Sequence, residues 1–387
     1  LGMYQLDYRD DFKCTLRRLM PAFALGFGLI TLVFYLVPDL YFGRGILGIV
    51  LLIALSGILL TRIVFFRWSD LSLLAPRIMI LGVGDVAKEC SDLAGHINGN
   101  QKFHIVGFVP MSDEECLVPS SSVLPVSGSL SSMAKKYNVN EIVVAVQNRR
   151  NGSFPIQELL KCKLHGFKVS DAATFFEREM CQIRVDSLQP SWLVFGGGFD
   201  QGQLRAGIKR GFDLLASAIL LVATLPVMII TALSIYIEDR SPILYRQKRV
   251  GKDGHHFMVM KFRSMRNDAE KAGKPQWAAE NDPRTTRVGR FIRKLRIDEL
   301  PQILNVLKGE MSFVGPRPER PYFVKQLSDE IPYYNVRHSI KPGITGWAQV
   351  RYQYGASVED ALQKLQYDLY YVKNNSLFLD IIILIDT

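Results

Sequence analysis

Two adjacent carboxylates, Asp298 and Glu299, stand in the stretch Asp298-Glu-Leu-Pro-Gln302. After them Leu300, Ile303, Leu304 and Leu307 recur at i, i+3, i+4 and i+7, which predicts a buried helical face. Pro301 suits a first helical turn, so the pair belongs at or just before a helix N-terminus. Two roles are open there. An Asp in that place commonly caps the helix. Alternatively, the helix dipole and nearby arginines hold Asp298 ionised, as a nucleophile requires. Adjacent carboxylates among many cations also suit a divalent metal bound together with a phosphorylated substrate.

The cations are dense from about residue 245 onward. Tyr245-Arg-Gln-Lys-Arg-Val-Gly251 carries Arg249, and Met260-Lys-Phe-Arg-Ser-Met-Arg266 carries Lys261 and Arg263. Alternation predicts an extended segment with those last two on one side. Arg284, Arg287, Arg290, Arg293, Lys294 and Arg296 interleave with Val288, Phe291, Ile292 and Leu295. Such spacing gives an amphipathic basic helix, suited to anionic lipid or to a phosphate site, with only one or two arginines expected to meet substrate. In Phe313-Val-Gly-Pro-Arg-Pro-Glu319 two prolines flank Arg317. That is either a structural turn or a rigid mount for bidentate phosphate recognition. The loop Ser339-Ile-Lys-Pro-Gly-Ile-Thr-Gly-Trp347 ends in an aromatic and could clasp a base or a sugar.

Membrane elements are expected to position these groups. Pro21–Val37 and Gly45–Thr61 are runs of 17 residues without a charge, each about 26 Å as a helix. With Pro38 to Arg44 between them they read as a transmembrane helical hairpin. Lys13, Arg17 and Arg18 before the pair, and Arg62 and Arg67 after it, put both outer flanks on the cytoplasmic side. A third run, Leu214–Ile237, has 24 uncharged residues, but Lys209 and Arg210 precede it and Arg240, Arg246, Lys248, Arg249 and Lys252 follow. Positive charge on both sides, with Pro226 in the middle, predicts a re-entrant helix–break–helix over about 212–237 that dips into one leaflet. A kinked spanning helix is the alternative.

Between these regions, at about 70–200, lies an α/β, Rossmann-like pattern. Arg77–Leu81 reads as a strand, Gly82, Gly84 and Ala87 form G-x-G-x-x-A, further strands are expected at 104–109 and 141–146, and helices near 129–137 and 155–165. The fingerprint suits a pyrophosphate at a helix N-terminus. Against that, the second strand ends at Pro110 with no acidic residue where a ribose would need one, so a packing or oligomerisation module is the plainer reading.

Composition narrows the classes. The 387 residues carry 47 Lys and Arg against 37 Asp and Glu, and 48% are hydrophobic, which excludes a disordered chain and favours an anionic partner. The cysteines Cys14, Cys90, Cys116, Cys162 and Cys181 are scattered and never spaced as C-x-x-C, as in a reduced compartment. No nucleic acid is expected, because the positive charge lies along membrane flanks without a reading motif. A membrane-tethered nucleotide-sugar-modifying enzyme would need a Tyr-x-x-x-Lys pair, and no Tyr here has Lys four residues on. A non-catalytic scaffold in polysaccharide export is a further alternative.

Gln247-Lys-Arg-Val-Gly251, Lys261-Phe-Arg-Ser-Met265, Asp298-Glu-Leu-Pro-Gln302, Gly315-Pro-Arg-Pro-Glu319 and Lys341-Pro-Gly-Ile-Thr-Gly346 stand in one order. That order resembles the bacterial sugar transferases, the monotopic polyprenyl-phosphate hexose-1-phosphate transferases. The resemblance covers about 201–387, and the plan upstream is similar to the large members. It departs at Arg296-Ile297, where many members have Ser or Thr and then Leu.

The resemblance implies an α/β membrane protein in three parts: membrane helices in 1–69, a Rossmann-like module in 70–200 and an α-rich monotopic catalytic domain in 201–387. It implies a ping-pong reaction at the cytoplasmic face of the bacterial inner membrane. Asp298 attacks the β-phosphorus of a UDP-sugar, UMP leaves, and polyprenyl phosphate takes the sugar phosphate. The reaction would begin the assembly of exopolysaccharide, capsule or O-antigen. Glu299 matches a position associated with Mg²⁺. Arg317 matches a phosphate-binding arginine, and Lys261 and Arg293 match basic positions near the site. Asp368 matches a late acidic position without an assigned role, and Arg249 and Arg263 lie in the basic motifs. UDP-glucose or UDP-galactose is the expected donor, membrane lipid the surroundings, and a second copy of the chain a candidate partner. A start at Leu1 and an end soon after the Ser376–Asp380 region lead to the expectation of further sequence at both ends.

Overall fold

The computed structural model describes residues 23, 26–28, 30–31, 33–37, 44–68, 75–96, 103–111, 115–146, 154–185, 198–199, 202–240, 242–266, 284–352, 355 and 357–387. The chain divides into two compact units, Leu1–Met180 and Cys181–Thr387. Residues 181–185 thus lie with the second unit, ahead of the start at 201 read from the motifs, because Ile183 and Val185 join its core.

In the first unit, helix α1 (Arg44–Trp68) contains the apolar run Gly45–Thr61, along which Ile49, Leu52, Ile53 and Leu60 are exposed. The described residues among 23–36 are helical. The expected turn at 38–43 and the flanking Lys13, Arg17 and Arg18 lie outside the described residues, so the hairpin itself is not seen.

The rest of this unit is a parallel sheet of β1 (Arg77–Leu81), β2 (His104–Val109), β3 (Glu141–Val144) and β4 (Lys168–Asp171) in the order β2-β1-β3-β4. Helices α2 (Asp85–His96), α3 (Leu130–Lys136), α4 (Ile156–Leu164) and α5 (Ala172–Met180) follow the strands. Alternation sorts β1 onto two cores. Ile78 and Ile80 pack with Phe108, Phe175 and Phe176 on one face, and Met79 and Leu81 with Leu130, Met133 and Leu159 on the other. Strands buried on both faces read as continuous apolar runs, as Ile78-Met-Ile-Leu81 does.

The second unit opens with α6, a single helix over Gln203–Asp239. It is the one helix among the described residues long and apolar enough to cross a membrane, roughly 55 Å in length. The expected break at Pro226 is absent. The proline removes one bond of the ladder, and the bonds on either side continue past it.

Both ends of α6 are bonded to the same unit. At the first end Lys209 reaches Asp380 (2.5 Å), the Tyr371 hydroxyl and the Val314 carbonyl, Arg210 donates to the carbonyls of Val306 and Leu307, and Asp213 accepts from Ser312 and from the Phe313 amide. At the far end Arg263 donates to the carbonyls of Asp239 and Arg240 and pairs with the Asp239 carboxylate. The Glu238 carboxylate accepts from the amides of Arg287 and Val288 and so caps the next helix. Between these anchorages Ile219, Val222, Leu225, Ile229 and Ile230 are exposed.

After α6 comes the antiparallel hairpin β5 (Leu244–Val250) and β6 (His256–Phe262), then α7 (Arg287–Lys294), a 3₁₀ turn over Ile297–Gln302, α8 (Ile303–Lys308) and β7 (Ser312–Val314). Next are α9 (Pro321–Glu330), a 3₁₀ turn over Tyr334–Ser339, β8 (Gly343–Thr345), α10 (Trp347–Arg351), α11 (Val358–Asn374) and α12 (Leu377–Asp386). β7 pairs parallel with β8. A Cβ on Gly343 would lie 2.1 Å from the Gly315 nitrogen, so the two motif loops pack backbone against backbone.

Candidate active site

Asp298 and Glu299 occupy the 3₁₀ turn between α7 and α8, and both are buried. Arg296, just before the turn, takes the left-handed conformation with φ 58°. A non-glycine residue held there is the kind of local strain found at working sites. Neither the turn nor α8 has a side-chain cap, and Asp298 Oδ1 is buried without a hydrogen-bond partner. Capping, the ordinary explanation for an Asp in this place, therefore does not account for it.

Glu299 is bound firmly. Its Oε1 accepts from Lys261 Nζ at 2.8 Å and from Arg317 Nη2 at 3.0 Å, and Arg296 stands 4.0 Å away. Burial alone would raise this carboxyl, but Arg317 and Lys261 outweigh it and hold it at about 2. Asp298 goes the other way. Burial raises its carboxyl and the Glu299 charge adds to the effect, while Lys261, Arg293 and Arg296 oppose it. Burial and Arg317 in turn pull the Lys261 ammonium below its ordinary value. Two neighbouring carboxylates thus sit in environments that shift them in opposite directions, Glu299 down and Asp298 up.

Asn305 brings Lys261 to this place. From α8 its side chain accepts from the Met260 amide and donates to the Met258 carbonyl and to Glu310, which pins β6 beside the turn. Arg317, between Pro316 and Pro318, turns its side chain to Glu299.

The structure brings Asp298, Glu299, Lys261 and Arg317 together, with Arg293 near enough to act on Asp298 through its charge. Arg263 and Lys261 do not work as a pair. Arg263 lies just past the end of β6 and turns to the end of α6 instead. Arg249 donates to the Pro318 carbonyl and to Gln247 and pairs with Glu319. Asp368 is buried on Arg337, at 2.7 Å. Trp347, expected to close a ligand loop, is itself core. It is 3% exposed, donates to the Cys181 carbonyl and stacks on Tyr370.

In the first unit the glycine fingerprint is covered by its own chain. Gly82 and Val83 are buried, the Leu117 amide donates to the Val83 carbonyl, Val118 packs beside Val83, and Asp85 puts a carboxylate in the first turn of α2. A carboxylate there opposes a pyrophosphate.

Arg337, Asn305, Lys209 and Asp380 were not singled out as site or support residues by their spacing. Asp380 did leave a signal, as one carboxylate in the apolar run Leu377-Phe-Leu-Asp-Ile-Ile-Ile-Leu384.

Residues 204–387 match the family described as bacterial sugar transferase. The chain is 44% identical over 229 residues to UDP-N-acetylgalactosamine-undecaprenyl-phosphate N-acetylgalactosaminephosphotransferase of Aeromonas hydrophila, covering 59% of this chain and 53% of that one. It is 44% identical over 178 residues to undecaprenyl-phosphate glucose phosphotransferase of Komagataeibacter xylinus, covering 45% and 34%. A putative undecaprenyl-phosphate N-acetylgalactosaminyl 1-phosphate transferase of Bacillus subtilis is 50% identical over 130 residues, 34% of this chain and 72% of that one. The chain spans about half or less of the length of the first two. With five motifs in order, and a relative covered over most of its length, the chain belongs to the bacterial sugar transferase family.

Proposed function

We propose that this protein transfers a sugar 1-phosphate from a UDP-sugar to polyprenyl phosphate, undecaprenyl phosphate above all, at the cytoplasmic face of the bacterial inner membrane. The observation that carries the reading is the pair Asp298 and Glu299, buried, uncapping and ringed by Lys261, Arg317 and Arg293.

In the first half-reaction an Asp298 oxygen attacks the β-phosphorus of the donor. The bond from that phosphorus to the bridging oxygen breaks, UMP departs with the electron pair, and a sugar-phosphoryl aspartate remains. In the second, an oxygen of the lipid phosphate attacks the same phosphorus and displaces the carboxylate. A carboxylate oxygen without donors is less solvated, and so more nucleophilic, than a hydrated one. Lys261 and Arg317 supply fixed positive charge where the phosphoryl group passes, the main means of catalysis for such transfers.

Magnesium fits the donor set. It takes one or two carboxylates together with substrate phosphates. Asp298 Oδ1 is buried without a partner beside Glu299, and no cluster of three or more metal-ligating side chains stands among the described residues. Glu299 would hold the ion with the donor's diphosphate, where it would neutralise charge on the leaving group.

The anchorage of α6 supports a monotopic placement. A helix that crossed the bilayer would carry its two ends to opposite sides, yet Lys209 and Glu238 both bind elements of one compact unit. The lipid phosphate would then meet Asp298 at the membrane surface.

The test is UMP release from UDP-glucose, UDP-galactose, UDP-N-acetylgalactosamine and UDP-N-acetylglucosamine with undecaprenyl phosphate, comparing the intact protein with Asp298→Asn. Release from at least one donor, lost in the variant, supports the reading. No release from any donor by folded protein, or undiminished release by Asp298→Asn, rejects it.

A further inference from the structure

We propose that Arg337, seated on Asp368 and Tyr334, is the positioning residue for Arg317. The part of this proposal that concerns turnover rests on the transferase reading above.

Four consecutive carbonyls of the Arg317 loop are each taken by a different donor. The Gly343 amide binds the Pro316 carbonyl, Arg337 Nη2 binds that of Arg317 at 3.0 Å, Arg249 Nη1 binds that of Pro318 at 2.9 Å, and the Val250 amide binds that of Glu319. Two of the four donors are backbone, fixed by the fold. The other two are arginines, and only Arg337 acts on the Arg317 peptide itself. The prolines restrict the torsions on both sides, Pro316 through its ring and Pro318 through the residue before it. With its carbonyl also held, Arg317 has little freedom except along its side chain, which ends on Glu299 at 3.0 Å.

Arg337 is itself over-determined. Its Nη2 pairs with Asp368 at 2.7 Å, its Nη1 donates to the Tyr334 hydroxyl at 2.6 Å, and its guanidinium lies over the Tyr334 ring, 5.1 Å from the centroid. All three residues are buried. A charge pair placed in the interior, with one of its donors turned to a loop carbonyl, sets a geometry more than it adds stability. It also gives Asp368 a place in the protein without contact with substrate.

The experiment uses the full chain in detergent and Arg337→Lys, which keeps the charge but cannot reach three acceptors at once. The turnover for UMP release should fall about 100-fold with little change in KM, the scale expected for a misplacement of about 1 Å. In an Arg317→Ala background Arg337→Lys should cost no more than about threefold, because its effect passes through Arg317. Hydrogen exchange of the 313–320 segment should quicken in Arg337→Lys and stay unchanged at 141–144.

Additive losses in the double variant, or unchanged exchange at 313–320, would overturn the proposal. If Arg337→Lys does not fold, Asp368→Asn, which keeps the shape and removes the counter-charge, takes the same measurements. If the wild type releases no UMP, the transferase reading fails, and the exchange result still decides whether Arg337 holds the loop.

Discussion

Replacing Glu299 by Gln removes one charge from a cluster of three and leaves its shape nearly intact. The carboxyl titrates at about 2 in the folded chain against 4.5 ordinarily, which favours folding by about 3 kcal/mol at neutral pH. The group is buried, so little of this is lost to solvent screening. Because the folded-state pKa is the depressed one, the stabilisation is complete well above pH 4.5 and fades as the pH falls through about 2. It amounts to about 2 kcal/mol near pH 3.5 and below about 1 kcal/mol near pH 2.5. For a unit of about 200 residues the loss at pH 7 corresponds to roughly 6–12 °C in Tm. The assay is thermal unfolding in detergent, followed by near-UV circular dichroism from pH 7 to pH 2.5 for wild type and Glu299→Gln. The two curves should lie far apart at pH 7 and converge in acid. A gap at pH 7 below about 1 kcal/mol, or one that does not change with pH, would refute the claim that Lys261 and Arg317 hold Glu299 as an anion.

Asp380→Ala leaves the Lys209 ammonium and the Tyr371 hydroxyl without their carboxylate. Breaking a buried pair from one side costs about 3–5 kcal/mol, so Tm should fall by roughly 6–20 °C in the same assay, and a fall under about 3 °C would count against the anchorage. Gly343→Ala puts a methyl 2.1 Å from the Gly315 nitrogen and 2.3 Å from the Thr345 carbonyl oxygen. Backbone cannot yield as a side chain does, so the β7–β8 pairing should open at a cost of at least about 3 kcal/mol. An alanine variant that melts with the wild type would mean that the two strands lie further apart than described.

What the sequence disclosed follows from local physics. Arg77–Leu81 announced a strand, to which the fold adds burial on both faces. Leu300, Ile303, Leu304 and Leu307 announced a helix beside the site but not its buried face, which is Ile303, Asn305 and Val306 with Leu304 and Leu307 half-buried. The prolines around Arg317 pointed to a rigid mount because their restriction is carried by the residues themselves. The alternation that grouped Lys261 with Arg263 failed because the strand ends at Phe262 and the next side chain answers to α6. Long-range partners were out of reach for the same reason. Nothing near Arg337 in the chain tells that its guanidinium meets a carbonyl 20 residues earlier. Lys209 read as a flanking charge of an apolar run, and only the fold places it on Asp380.

The two anchorages of α6 are not made at the same time. The far end is tied to Arg263 and to the start of α7, which lie 24 and 50 residues or fewer away along the chain. The near end meets Val306 and Leu307 first, 96 and 97 residues after Arg210, and Asp380 last, 171 residues after Lys209. At ordinary rates of synthesis Val306 follows Val288 by roughly 1–4 s and Asp380 follows it by roughly 5–20 s, so the near end is tethered first and fully anchored only later. The tie of Lys209 to Asp380, and with it the full anchorage of the near end, stays open until α12 leaves the ribosome. A nascent chain halted before α12 is the form of this protein in which the near end of α6 is held by Val306, Leu307, Ser312 and Phe313 alone, without its buried carboxylate.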